Sequence, residues 1–296
     1  MSDTVNAENT RYDDYADAGE YAPSTVWKER QSWLDYVPTP IAMAMLVGIF
    51  VAFWQLFHLS GLVSPIILPS PARVGGELVT VGMNLVSGGF VFNAFLITAQ
   101  EVVYGFAIAI LIGLALGIIV GETAFGERAV MPLIVAIDTM PKIAFAPVFV
   151  AWLGFGIASK VALAAFVAIF PIVVGVAAGL HAADENTRMM FRSIGASRWQ
   201  TLRRLKIPAG LPHFFTGLKI GAIGVVAGAI TGEFLGGGRG FGDLIRTAAS
   251  QLDTARVFAL IFYLSLLGLA TFWTVVLVER RMVFWRRTNS GAGGAR

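Results

Sequence analysis

The chain has 296 residues, of which 56% are hydrophobic, 14% are charged and none is cysteine. Counted with glycine and without tyrosine, about 65% of it is apolar against about 45–50% in soluble proteins, and mean hydropathy is +0.71. This excludes a cytosolic enzyme, a disulfide framework and cysteine chemistry, and a net charge of +3 is too small to point to nucleic acid.

The first 25 residues carry six acids against the single base Arg11 and lack an apolar stretch, so they read as a disordered tail and not a cleavable signal. Trp27, Trp33 and Tyr36 mixed with Lys28, Glu29 and Arg30 suit a short helix at the membrane interface. Residues 1–40 are thus expected to form a cytoplasmic tail. A first span covers residues 41–59, before the turn-rich Ser64-Pro65 and Leu68-Pro69-Ser70-Pro71. The second covers 102–121 and begins near Phe92, which puts Glu101 inside it. The third, 129–153, is interrupted by Asp138, Lys142, Pro132, Pro141 and Pro147. The fourth covers 161–183, the fifth 214–234 with Lys219 and Glu233 near its ends, and the sixth 257–278. Each can cross about 30 Å of hydrocarbon as a helix, and none alternates as a membrane β-strand would. The expected fold is all-α: a six-helix transmembrane domain over 41–285, then a cytoplasmic tail, 286–296, that is Gly/Ala-rich from Ser290.

Orientation follows from Lys and Arg outside the spans. Residues 1–40, 122–128, 182–212 and 279–296 hold fifteen, and the alternate segments 60–91, 154–160 and 235–256 hold five. That threefold bias places both termini and the long loop after the fourth span in the cytoplasm.

This loop carries the strongest local pattern. A helix over 184–194 ends where Gly195 can adopt the left-handed C′ conformation. Ser197 caps a second helix, and Gln200 three residues on completes a capping box. Pro208 and Pro212 are expected to prevent a long continuation. Met189, Met190, Phe191, Ile194, Trp199 and Leu202 alternate with Arg192, Arg198, Arg203 and Arg204. Such a bent pair of short helices either rests on anionic headgroups or presents an apolar knob to a groove in a cytoplasmic partner.

The loop also resembles that of the inner-membrane permease subunits of bacterial binding-protein-dependent ABC importers. That loop carries Glu-Ala-Ala, a Gly six residues after the Glu, and ten further on an aliphatic residue followed by x-Leu-Pro. Gly195, Leu205 and Ile207-Pro208 fill the later positions, while Met189-Met190-Phe191 replaces Glu-Ala-Ala. The run from Arg192 to Gln200, with Leu68-Pro69-Ser70-Pro71 and Trp152-Leu153-Gly154-Phe155-Gly156, is similar to the nitrate/taurine branch. Thr98-x-x-Glu101-x-x-x-Gly105-Phe106 and Pro141-Lys142-Ile143-Ala144-Phe145-Ala146-Pro147 look more like permeases for pyrimidines or vitamin precursors. The resemblance spans about residues 41–285. It implies a homodimer in the lipid bilayer of the bacterial inner membrane, two copies of an ATPase beneath it, and an extracytoplasmic solute-binding protein. Solute would pass by alternating access, and Met190, Phe191, Arg192, Ile194, Gly195, Ala196, Ser197, Arg198, Trp199 and Pro208 would meet the ATPase.

Inside the spans, Asp138 and Lys142 stand four apart, where one helical face could pair them. Ionisable groups within a span point to a transport pathway, although a self-neutralised pair could equally lock packing. Glu101 is expected in the same polar seam. Lys219 is read as snorkelling to the cytoplasmic boundary, and Glu233 with Gly236 to Gly240, at the outer end of the fifth span, as a turn that links helices, with contact to an external docking protein as the lesser reading. His58, His181 and His213 have no metal-ligand spacing, and the zinc-protease, nucleophile-elbow and phosphate-loop motifs are absent from the sequence. No cofactor is expected, and ATP hydrolysis is expected on a separate chain. A proton-driven carrier through Glu101, Asp138 or Glu233, and a membrane-embedded lipid enzyme, are the competing readings.

Overall fold

The computed structural model describes residues 38–285. The expected interfacial helix around Trp27 to Tyr36 and the last eleven residues lie outside them. The described residues are helical, with no strand. The described residues divide into two units, 38–53 and 54–285. What is described of the first is the beginning of α1 (Thr39–Leu59), an apolar helix long enough to cross a membrane.

The second unit opens on the end of α1. Trp54 donates its indole N–H to the Pro69 carbonyl at 3.1 Å, and His58 Nδ1 lies 2.9 Å from that of Leu68. The Leu68-Pro69-Ser70-Pro71 turn is thereby held. Ser70 then caps α2 (Pro71–Val86) by accepting from the Arg73 N–H, with Pro71 at the first helical position where its missing donor is harmless. This amphipathic helix is an addition to the sequence reading, which left the segment as a connection.

The core is built from α3 (Phe90–Glu122), α6 (Ile157–His181) and α8 (Arg198–Gly236). On α3, Gly105, Ala109, Gly113, Gly117 and Gly121 recur every four residues and form one stripe. A Cβ at Gly113 would lie 2.6 Å from Ile172, and one at Gly117 would lie 2.5 Å from Val176. The two helices are therefore as close as absent side chains allow, which is how membrane helices gain packing where lipid supplies no hydrophobic drive. On the other side of α6, Gly175 and Gly179 meet Gly217 and Gly210 of α8.

The third apolar stretch is a pair of helices, α4 (Gly126–Asp138) and α5 (Lys142–Leu153), bent by 90° at a short break. Pro141 is extended at the break (ψ 103°), and Pro147 stands in the first turn of the helix that follows. A chain without protein neighbours could not leave its backbone groups so exposed in hydrocarbon. After α8 come a glycine-rich turn, the short α9 (Phe241–Ser250) and α10 (Thr254–Met282). A second apolar cluster joins α2, α3, α9 and α10 through Val81, Val91, Phe241, Leu244 and Leu260.

One expectation is overturned. The helix that Ser197 caps does not stop before Pro208 but runs 39 residues, from Arg198 to Gly236. Residues Leu202–Lys206 form a π-turn just ahead of Pro208, which then sits in a first-turn position where its missing N–H is tolerated. Pro212 lies inside the helix, where close packing of Gly210 on Gly179 holds the backbone straight enough to continue.

Candidate functional site

Three groups of side chains stand out, at one end of the bundle, in its middle and at the other end. The first is the loop between α6 and α8. It contains α7 (Glu185–Ser193), capped by Asp184, whose carboxylate accepts from the Thr187 N–H at 3.1 Å. The helix ends in a complete Schellman motif. The Gly195 N–H reaches the Arg192 carbonyl and the Ala196 N–H that of Phe191, each at 3.0 Å, with Gly195 at φ +73°. Ser197 and Gln200 form the expected capping box, with bonds of 3.2 and 2.7 Å. Met190, Ile194 and Trp199 are more than half exposed, whereas Phe191 is half-buried and contributes to the base of the turn.

Two contacts anchor this loop that no sequence spacing announces. Arg188 donates to the Leu180 and His181 carbonyls at 3.4 and 3.3 Å, placing a cation on the C-terminal end of α6. Lys206, in the π-turn, binds both oxygens of Glu122 at 2.8 and 2.9 Å and so ties the base of α8 to the end of α3. Lys219, expected at the cytoplasmic boundary, pairs with Glu279 of α10.

The second group lines a cavity of about 480 Å³ between α6 and α8. Val167, Phe170, Pro171 and Val174 form one wall, His213, Thr216 and Ile220 the other, and Asp138 and Lys142 close it. The two charges pair at 2.7 Å. They do so across the break between α4 and α5, and not along one helical face as their spacing suggested. A gap that separates backbone but keeps an ion pair exposes both side chains to the cavity.

The third group corrects the placement of Glu101. It does not join Asp138 and Lys142. It lies fully buried on α3, with Lys160 Nζ of α6 3.1 Å from its Oε1. That contact is ionic without hydrogen-bond alignment, so neither Glu101 oxygen has a hydrogen-bond donor. Lys160, assigned by the sequence to a connecting segment, is 4% exposed. One turn before Glu101, Thr98 donates to Glu233 Oε1 of α8 at 2.6 Å and accepts from the Phe241 N–H at 2.8 Å. Glu233 Oε2 accepts from the Gly242 N–H. Gly240 and Gly242 lie against the Glu233 carboxylate so closely that a Cβ on either would meet it. The glycine-rich segment is thus more than a link.

No group of three or more His, Asp or Glu able to hold a metal occurs among the described residues. Residues 109–284 match the family described as the binding-protein-dependent transport system inner membrane component. The chain is 37% identical over 223 residues to the formylaminopyrimidine transport permease protein ThiX of Halalkalibacterium halodurans, covering 75% of this chain and 87% of that protein. It is 32% identical over 246 residues to the riboflavin transport system permease protein RibX of Chloroflexus aurantiacus, covering 83% and 90%. With the taurine transport system permease protein TauC of Escherichia coli it shares 26% identity over 247 residues, 83% of this chain and 89% of that one.

Proposed function

Because the chain belongs to the family of binding-protein-dependent transport system inner membrane components, a multi-span translocation subunit of an ATP-driven importer, we propose how its parts divide that work. Residues 41–285 form the permease, with segment 182–212 as the coupling loop, and both termini face the cytoplasm of a bacterial cell. Two copies associate in the lipid bilayer, above two copies of the ATPase and beneath the solute-binding protein.

The observation that carries this reading is the continuity of α8. One helix begins at the capped, exposed turn of Ser197 and Trp199 and ends beyond the cavity wall of His213, Thr216 and Ile220. A displacement imposed on the loop is therefore passed along α8 to that wall, as far as the π-turn at Leu202–Lys206 holds its register. Met190, Ile194 and Trp199 supply the apolar knob for a groove in the ATPase, with Phe191 packed at its base and Arg192 and Arg198 at its rim. Gly195, Ala196 and Ser197 fix its angle, and Pro208 marks where α8 leaves the π-turn.

Asp138 and Lys142 line the pathway. Because each engages the other, the cavity has no free lysine to balance an anion. Together with the 37% identity to a formylaminopyrimidine permease, this supports an uncharged heterocycle of that kind over a sulfonate or nitrate as the solute. Glu101 serves away from the solute, within the buried cluster. The test is uptake of formylaminopyrimidine, riboflavin and taurine into proteoliposomes holding permease, ATPase and binding protein. ATP should drive entry of the first. Uptake that follows an imposed proton gradient and ignores ATP would overturn the reading in favour of a secondary carrier.

A further inference from the structure

Buried charges in a membrane bundle are expensive and persist where they do a job. Glu101, Lys160 and Glu233 are all nearly sealed from solvent, yet none lines the cavity between α6 and α8. What they do hold is the segment leading into α9. Glu233 and Thr98 accept the N–H groups of Gly242 and Phe241, the first two residues of that helix. Gly238, at φ +133°, lies against the Lys160 ammonium. The buried side of α9 is Phe241, Leu244, Ile245 and Ala248, while Arg246, Thr247 and Ser250 face outward at the end of the bundle opposite Gly195.

The same helices reach the cavity. Lys160 is on α6, about two turns before Val167 and about three before Pro171. Glu233 is on α8, beyond Gly224. We infer that Thr98, Glu101, Lys160 and Glu233 are positioning residues that convert the seating of the solute-binding protein on α9 into a shift of the two cavity helices. The cluster is suited to this because its bonds run between elements: α3 to α8 through Thr98, α3 to α6 through Lys160, and α8 to α9 through Glu233. A purely apolar contact would let α9 slide, whereas directional bonds to its first two N–H groups transmit a displacement. This inference rests on the importer reading and its orientation.

The test uses the assembled complex of permease and ATPase in nanodiscs, with hydrolysis measured without and with the purified binding protein that supports uptake. Glu233→Leu, and the double variant Glu101→Gln with Lys160→Met, should keep basal hydrolysis within about twofold while stimulation falls at least about tenfold. Glu233→Gln keeps an acceptor for Gly242 and should retain stimulation. If assembled Glu233→Leu or the assembled double variant keeps wild-type stimulation, or if basal and stimulated rates fall in proportion, the cluster is only structural and the inference fails. Should neither variant assemble, hydrogen exchange on the wild-type complex decides. Adding binding protein must change protection in residues 241–250 and around Thr98 together, and a change confined to α9 overturns the relay. A wild-type complex that no binding protein stimulates would instead sink the importer reading.

Discussion

Gly179 of α6 and Gly210 of α8 meet backbone to backbone, so that a Cβ on Gly179 would lie 2.6 Å from the Gly210 carbonyl oxygen. Neither partner at this contact is a side chain that could swing aside. Gly179→Val must therefore push the helices apart, at about 1–3 kcal/mol for overpacking a tight interface. Its midpoint of thermal unfolding in detergent should fall clearly. Gly76→Ala is the control: nothing lies within 4 Å of a Cβ there, and the better helix propensity of alanine should leave stability unchanged or raised by up to about 1 kcal/mol. Equal effects of the two would mean that the interface is looser than the geometry states.

Asp138 and Lys142 are paired across a break and each is about a quarter exposed, 28% for Lys142 and 23% for Asp138. Neutralising one leaves the other facing the cavity alone. The penalty is smaller than for a fully buried pair because neither side chain is sealed in the protein. Asp138→Asn or Lys142→Met should each slow uptake by about tenfold, which corresponds to about 1.4 kcal/mol on the transport barrier, while the dimer still forms. Any smaller loss of assembly in the single variants should be restored in the double variant. Wild-type uptake by either single variant rules the pair out as part of the pathway.

How far such contacts were legible in the sequence depends on how local they are. Gly195, Ser197 and Gln200 act on neighbours within a few residues, so spacing alone places the turn and the capping box. The six apolar stretches are likewise readable because hydrophobic length is a local property. Lys160 and Glu101 lie 59 positions apart, and Glu122 and Lys206 lie 84 apart. No local period links them. A lysine at the edge of an apolar run reads as a membrane boundary, and only the packing of α3 on α6 shows that it is inside. Pro208 and Pro212 misled for a related reason. Their cost to an isolated helix is local, whereas the π-turn and the glycine contacts that offset it are not.

The Lys206 to Glu122 contact ties the π-turn to the end of α3 at the level of an apolar void lined by Leu114, Leu180 and Phe214. A π-turn beside free volume is a place where a helix can change register at small cost. Glu122→Gln should therefore loosen the base of α8 without unfolding the bundle. The expected outcome is more ATP hydrolysed per solute imported, by about twofold or more, with the exchange Glu122→Lys plus Lys206→Glu restoring part of the ratio. Simultaneous measurement of hydrolysis and uptake in proteoliposomes checks this. An unchanged ratio would reduce the contact to a surface ion pair, for which about 0–1 kcal/mol is typical.

Gly195 holds φ +73° with open space where a Cβ would point. Crowding therefore plays no part in its selection, and what matters is the left-handed backbone itself. A residue with a Cβ loses about 1 kcal/mol or more in that conformation, enough to shift an exposed turn closed by bonds to the Arg192 and Phe191 carbonyls. If α7 then splays from α8, Met190, Ile194 and Trp199 meet the ATPase groove out of register. Gly195→Val should insert and dimerise normally yet lose co-purification with the ATPase or the stimulation of its hydrolysis. Gly195→Asn separates conformation from side-chain size, since asparagine tolerates the left-handed region, and it should keep most of the coupling. Arg198→Glu should do less harm than Gly195→Val, because a rim charge contributes little beside an apolar anchor. If Gly195→Val retains ATPase binding and stimulation, the loop is a membrane-surface segment and the link from hydrolysis to the cavity must run elsewhere.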